Sequence, residues 1–341
     1  MAVITTFGEL MLRLKTPGYQ RFSQATSLDA TFGGGEANVA VSLAQFGHQA
    51  RFVSAMPANP LGDWAIAELR KVGVDTSFIL RQGERLGVYF LEAGASQRAS
   101  NVIYDRAGAS AALIQPGQVD WAAAFAKASW YHVTGITPAL SASACAVCRE
   151  SLVAARSAGL SVSFDLNYRK KLWSGAKAGE VISTLMPLVD VAIANEEDCE
   201  KVFGIKAAGS DMSAGAIDHQ RYLDVAGQLT KRFPNLSHVA ITLRESLSAS
   251  HNRWSGLLVD RNGHSFSRRH ELTIVDRVGG GDSFAGGLIH ALLGKRPRDQ
   301  VIEFAAAASA LKHSLMGDFN LISVAEVEAL VAGDGSGRVQ R

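Results

Sequence analysis

The chain has 341 residues, 47% of them hydrophobic, which bounds it to one large domain or two modest ones and excludes a disordered polymer. Its 34 basic and 32 acidic side chains leave a formal net charge of +2, which excludes a nucleic-acid binder recognised by bulk charge. No apolar run approaches the roughly 18–20 residues of a membrane span, MAVITTFGELMLRLK lacks the features of a signal peptide, and 3 cysteines cannot all pair in a secreted framework. The expectation is a cytoplasmic protein with neither membrane nor nucleic acid as a partner.

In chain order, Val3–Gly8 is short and β-branched, as a strand is. Glu9 to Asp29 mixes polar and apolar residues around Pro17-Gly18 and predicts a pair of half-exposed strands. Gly33-Gly34-Gly35 leads into a helix over Glu36–Phe46 that stops at Gly47. Pro60 opens a second helix, with Leu61, Trp64, Ala65, Leu69 and Val72 on one face and Gly73 at its end. Gly87–Arg106 predicts a hairpin turning around Ala93–Arg98. Strands are then expected at Ser129–Val133, Ser161–Asp165, Val189–Ala194 and His238–Leu243, separated by Ala/Leu-rich helical stretches such as Ser141–Ala158 and Tyr222–Phe233. This alternation predicts βαβ units and a mostly parallel sheet covered on both faces. Two helices, Asp282–Leu293 and Arg298–Leu315, close the pattern. Glu9–Thr31 and Gly87–Arg106 break the alternation and predict a small sheet standing off the main one, a lid. Lys206–Gln220 reads as a surface loop and Asp334–Arg341 as a polar tail.

Chemistry concentrates in two glycine-rich segments. Asp276-Arg277-Val278-Gly279-Gly280-Gly281-Asp282 sits immediately before a strongly patterned helix. Glycine amides can approach an anion closely, and the helix N-terminus adds partial positive charge, so the segment suits a phosphate. A carboxylate there would repel a resting phosphate. It fits if Asp282 instead faces an attacking hydroxyl and takes its proton. The chain has no Walker P-loop, and Gly33-x-Gly35-x-x-Asn38 lacks the third glycine of a dinucleotide fingerprint. In that second segment, Gly34 and Gly35 let a ligand touch backbone, and Asn38 offers donors and acceptors to a polyhydroxylated molecule.

In this order and spacing the two segments resemble the two signatures of the PfkB family of carbohydrate kinases, which includes ribokinase. The resemblance covers residues 3–332. It implies an α/β fold with a ribokinase-like three-layer core and a β-sheet lid, in a single kinase domain over residues 1–333. Within the family, Tyr104-Asp105-Arg106, Phe164–Arg169 with Leu172-Trp173, Thr242–Ser246 and Gly317–Asn320 look like the kinases of 2-keto-3-deoxygluconate.

The resemblance implies ATP-dependent phosphorylation of a sugar acid, with Mg²⁺, at the 6-hydroxyl of 2-dehydro-3-deoxy-D-gluconate. The alternatives are a fructokinase or other neutral sugar kinase, or a non-catalytic sugar sensor. Asp282 is implied as the base, and the amides of Gly279, Gly280 and Gly281 as the anion hole. Arg106 and Arg169 would meet the substrate carboxylate, since the planar guanidinium matches it bidentately. Tyr89 and Tyr104 would add donors, and Asp318 would touch a sugar hydroxyl. The nucleotide side would draw on Asp165, Asn167, Arg169, Asn195, Thr242 and Arg244. Asn195-Glu196-Glu197-Asp198 resembles the family's N-x-x-E motif with Asp in the fourth place, leaving Glu197 or Asp198 to serve the metal through water and phosphate. Relatives use the lid for dimer contacts, which implies a homo-oligomer. Cys145 and Cys148 have no second ligand pair, so they are expected to be packed helix residues rather than a zinc or redox site.

Overall fold

The β-branched and aromatic runs become strands, and the Ala/Leu-rich stretches between them become crossover helices, because only that pairing buries both faces of each run. The computed structural model describes residues 1–206 and 218–335. Its first part comprises β1 (Val3–Phe7), β2 (Met11–Lys15), β3 (Asp29–Gly33), α1 (Gly35–Gln45), β4 (Gln49–Met56), α2 (Pro60–Lys71), β5 (Ile79–Arg81), β6 (Gly87–Glu92) and β7 (Asn101–Asp105). The middle holds α3 (Trp121–Ala124), β8 (Ala128–Thr134), α4 (Ala142–Ser157), β9 (Ser161–Asp165), α5 (Gly175–Leu185), β10 (Val191–Asn195), α6 (Glu196–Phe203) and α7 (His219–Arg232). The last part is β11 (His238–Ser246), β12 (His251–Asp260), β13 (Gly263–Phe266), β14 (His270–Thr273), α8 (Gly280–Leu293), α9 (Arg298–Lys312) and α10 (Val324–Val331).

The main sheet runs β13-β12-β11-β10-β9-β8-β1-β4-β5, with β14 also on β12. From β11 to β5 every pairing is parallel, and β12, β13 and β14 add antiparallel. Alternate residues of one strand serve opposite cores. Val191 and Ile193 of β10 join one apolar cluster with α1, α8 and α9, while Ala192 and Ala194 join the other with α4, α5 and α7. This is the α/β/α layering expected.

A second sheet of order β3-β2-β6-β7 stands apart from the first. It is built from the two segments that break the βαβ alternation, and the turn between β6 and β7 closes at Ala95 and Arg98. One expectation fails here. β2 is not half-exposed but almost wholly buried, Arg13 and Lys15 included, and the chain between β2 and β3 forms no strand. The face read for the Pro60 helix is also wrong in part. Leu61 and Trp64 are exposed, and Ala65, Ile66 and Leu69 face the core, because Trp64 packs edge-on against Phe32 of the lid instead. Of the loop read at Lys206–Gln220, residues 207–217 lie outside the described residues, and α7 already starts at His219. Residues 336–341 of the polar tail also lie outside them. Cys145 and Cys148 are unpaired on α4, and burial holds both thiols in the protonated form, as packed residues would be.

Candidate active site

The site forms where the N-termini of α1 and α8 meet, at the C-terminal ends of the parallel strands, where open α/β sheets bind ligands. The three glycines before Asp282 do different work. Gly279 has φ +83°, a left-handed conformation that favours glycine, and a Cβ there would lie 2.1 Å from the Asp318 carbonyl oxygen. A Cβ on Gly280 would strike the His313 ring at 2.5 Å, whereas one on Gly281 would meet nothing within 4 Å. Two glycines therefore seat the turn, and the third leaves its face open. No side chain caps the start of α8, so its first amides are free of a competing side-chain acceptor.

Asp282 lies in the first turn of α8, and Asn38 Nδ2 donates to its Oδ2 at 2.7 Å. The other end of the Asn38 amide is also engaged, with Oδ1 accepting from Gly34 N at 3.2 Å. Asn38 is thus a strut that aims the Asp282 carboxylate, where the sequence suggested a free ligand contact. Desolvation lifts the Asp282 pKa to about 6, against the Asn38 hydrogen bond and the charge of Arg169, which favour the ionised form. Gly35 opens on the same carboxylate, 3.8 Å from its Cβ position, while a Cβ on Gly34 would lie 1.9 Å from the Glu9 carbonyl oxygen.

Glu9 leads from this turn to the lid. It is buried, and its carboxylate is paired with the guanidinium of buried Arg106, just past β7. Burial raises the Glu9 pKa while Arg106 pulls it down. The pair is incomplete, since Glu9 Oε1 and Arg106 Nε are buried without hydrogen-bond partners. Arg106 also stands 5.4 Å from the ring centre of Tyr104, as Lys171 does at 5.8 Å. Tyr104 is part-exposed on β7, and Lys171 donates to the Val102 carbonyl at 2.8 Å, tying the chain after β9 to the lid.

Tyr89 and Asp318 come together but are turned toward each other. The Tyr89 hydroxyl donates to both Asp318 oxygens, at 2.7 and 2.8 Å. Arg13 Nη1 donates to Asp318 at 2.6 Å, and its Nη2 pairs with Asp276. In this structure Asp318 is therefore committed to Arg13 and Tyr89, rather than free for a sugar hydroxyl.

A third group lines the ends of β9, β10 and β11. Ile193 pairs with Asp165 and Asn195 with Thr242, so the strand register sets these side chains side by side. Asn167, at φ +39°, donates to Asp165 at 3.3 Å. Asn195 caps α6 and donates to Asp198 at 2.9 Å. Burial lifts the Asp165 pKa well above its usual range and the Asp198 pKa to about 6. The positive charge of Arg169 lowers both, and that of Asp282, although Arg169 itself is exposed and donates to the Tyr168 carbonyl at 3.1 Å. Glu197 points outward and is exposed, so the buried acid of the Asn195–Asp198 segment is Asp198. Arg244 is exposed near Arg277, whose own pKa is lowered by burial and then by the Arg244 charge.

Sequence reasoning missed Glu9, Arg13, Lys171 and Lys312. The signal for Arg13 was present, because a lone arginine between Leu12 and Leu14 in a strand that turns out buried must find a carboxylate.

A sequence profile described as pfkB family carbohydrate kinase matches residues 1–322. The crystal structure of 2-dehydro-3-deoxygluconokinase from Thermotoga maritima superposes with a TM-score of 0.94 at 46% identity, covering 98% of this chain and 100% of that one. The 2-dehydro-3-deoxygalactonokinase of Haloferax volcanii is 33% identical, over 98% of each chain. The 2-dehydro-3-deoxygluconokinase of Bacillus subtilis is 29% identical, over 92% of this chain and 90% of its own.

Proposed function

The chain belongs to the pfkB family of carbohydrate kinases, and from that premise we propose that it phosphorylates a 2-keto-3-deoxy sugar acid with ATP, 2-dehydro-3-deoxy-D-gluconate giving its 6-phosphate. The observation that carries the acid specificity is the buried, incompletely bonded guanidinium of Arg106 at the lid. Glu9 already pairs with Arg106, and a substrate carboxylate would give the orphaned Nε the acceptor that this pair leaves unfilled. On this reading the acid end is held at Arg106 and the far end of the six-carbon chain reaches Asp282, with the terminal hydroxyl as acceptor. The Haloferax volcanii relative, a 2-dehydro-3-deoxygalactonokinase, supports the C4 epimer as a second substrate.

The chain's own residues divide the work. Asp282, aimed by Asn38, takes the proton of the acceptor hydroxyl. Phosphoryl transfer has a loose transition state in most analyses, so positioning outweighs basicity, and a pKa of about 6 leaves Asp282 ionised at neutral pH. The amides at the start of α8 receive the charge of the transferring group. Arg169 faces the same charge, and Thr242 and Arg244 would border the nucleotide. The acids fit a magnesium–phosphate complex. Burial raises the pKa of Asp165, Asp198 and Asp282, and a bound cation would favour their ionised forms, yet among the described residues no three potential ligands are close enough to hold a metal unaided. Asp198 and Asn195 would meet that complex through water. Magnesium, when bound, supplies neutralisation of the phosphate oxygens.

The same reading takes residues 1–333 as one kinase domain with Glu9–Thr31 and Gly87–Arg106 as lid. It includes a cytoplasmic setting, supported by free thiols and by the absence, among the described residues, of a helix long and apolar enough to cross a membrane. It also includes a homo-oligomer joined through the lid, supported by the exposed edge strand β7 with Ile103 on its surface. A sedimentation mass of one chain would refute that contact.

The test of acid selectivity is kcat/KM for Arg106→Ala on the keto acid and on fructose. A charge-assisted hydrogen bond is worth roughly 1.5–3 kcal/mol, so the acid should lose about 10–150-fold and fructose little. Equal losses on both would assign Arg106 to lid structure instead.

A further inference from the structure

Lys312 ends α9 and is fully buried, though nothing in the proposed reaction uses it. Its ammonium donates to main-chain carbonyls only, to Gly317 at 2.6 Å, Leu315 at 3.4 Å and Asp276 at 3.5 Å. Two of these carbonyls belong to the turn after α9 and one to the turn before α8. Those two turns form the floor of the glycine cradle. A Cβ on Gly279 would lie 2.1 Å from the Asp318 carbonyl oxygen and 3.3 Å from Lys312 Cε. Arg13 crosses the same gap through the side chains of Asp276 and Asp318. Burial lowers the Lys312 pKa, against the charges of Asp276, Asp318 and Asp282, which favour the ammonium, and with that of Arg13, which opposes it.

Burying an ammonium is costly, and a methionine would fill the same volume without that cost. The arrangement instead resembles ion coordination, with carbonyl oxygens from separate turns drawn around one compact positive charge. We infer that Lys312 is a positioning residue: its ammonium acts as a tethered cation that pins the Asp276–Gly279 turn to the Leu315–Asp318 turn and so fixes the direction of the cradle amides. The effect on turnover rests on the kinase reading. The effect on the turns does not, so the two can fail separately.

The experiment compares amide hydrogen exchange in the ligand-free protein for wild type, Lys312→Met and Lys312→Ala. Both variants should exchange about tenfold faster or more over residues 276–282 and 315–318, with the rest of α8 and α9 near wild type. Ammonium chloride should restore protection to Lys312→Ala, where a small cation can enter, and not to Lys312→Met. Tetramethylammonium chloride at equal ionic strength should restore neither. Turnover should follow, with kcat down about 10–100-fold and recovering with ammonium in Lys312→Ala alone. Wild-type exchange in both variants would overturn the inference, and so would a loss that ammonium leaves unchanged in Lys312→Ala, which marks mere packing. If neither variant folds, the wild type decides. Its occupied cage requires the same kcat in ammonium, potassium, sodium and tetramethylammonium salts, and stimulation by any of the small cations would overturn the assignment.

Discussion

Asp282 is held by desolvation at a pKa of about 6 and by Asn38 in one orientation. Asp282→Asn preserves the shape and the acceptor for Asn38 but cannot take a proton. Turnover should fall by about 10²-fold or more, within the range usual for acid–base groups, while sugar binding measured by calorimetry changes little. In wild type the carboxylate must be ionised, so kcat/KM should fall as pH drops through about 6. The stability effect has the opposite sense. A carboxyl whose folded pKa is raised costs stability above that pKa, and the cost fades as pH falls toward its unfolded value. Asp282→Asn should therefore melt higher than wild type at about pH 7.5, with the gain gone near about pH 4. A variant with wild-type turnover would remove Asp282 from the chemistry. The sequence made Asp282 and the glycines legible because their spacing is local. It could not reveal Lys312 or name the partners of Arg13, since Asp276 and Asp318 lie 263 and 305 residues beyond Arg13 and only the fold brings them together.

At the scale of elements, the second sheet was legible as two β-like segments that break the βαβ rhythm, and its pairing β3-β2-β6-β7 joins both. β12 to β14 were not legible. They follow β11 without a helix, and polar runs such as Arg253 and His264 mask the strand period at a sheet edge. The burial of β2 was hidden for another reason. A polar strand looks exposed until the loops that supply Asp276 and Asp318 close over Arg13. If the lid closes on substrate, Arg106 and Lys171 are the links between its outer strand and the core. Binding of the sugar acid should then slow amide exchange over residues 9–31 and 87–106. Protection confined to the parallel sheet would contradict a lid role for these strands.

On the scale of the whole molecule, the proposed site draws on three groups of charged residues. Arg106 and Glu9 pair beside the second sheet, Asp282 and the glycine turn start α8, and Arg169 acts on the charges of Asp165 and Asp198, the group proposed for the nucleotide end. On the proposed reading, Arg106, although paired with Glu9, offers its unbonded Nε to a substrate carboxylate, and Asp282 takes the proton of a hydroxyl at the other terminus. The central claim is that this is a sugar-acid kinase, and the most direct measurement is ATP-dependent ADP release, coupled and scored on ketodeoxygluconate, ketodeoxygalactonate, gluconate, fructose, ribose and adenosine. The account predicts that a 2-keto-3-deoxy acid exceeds every neutral sugar in kcat/KM by about tenfold or more, the value of one charge-assisted contact. Turnover of fructose or ribose equal to or above that of both keto acids would contradict it.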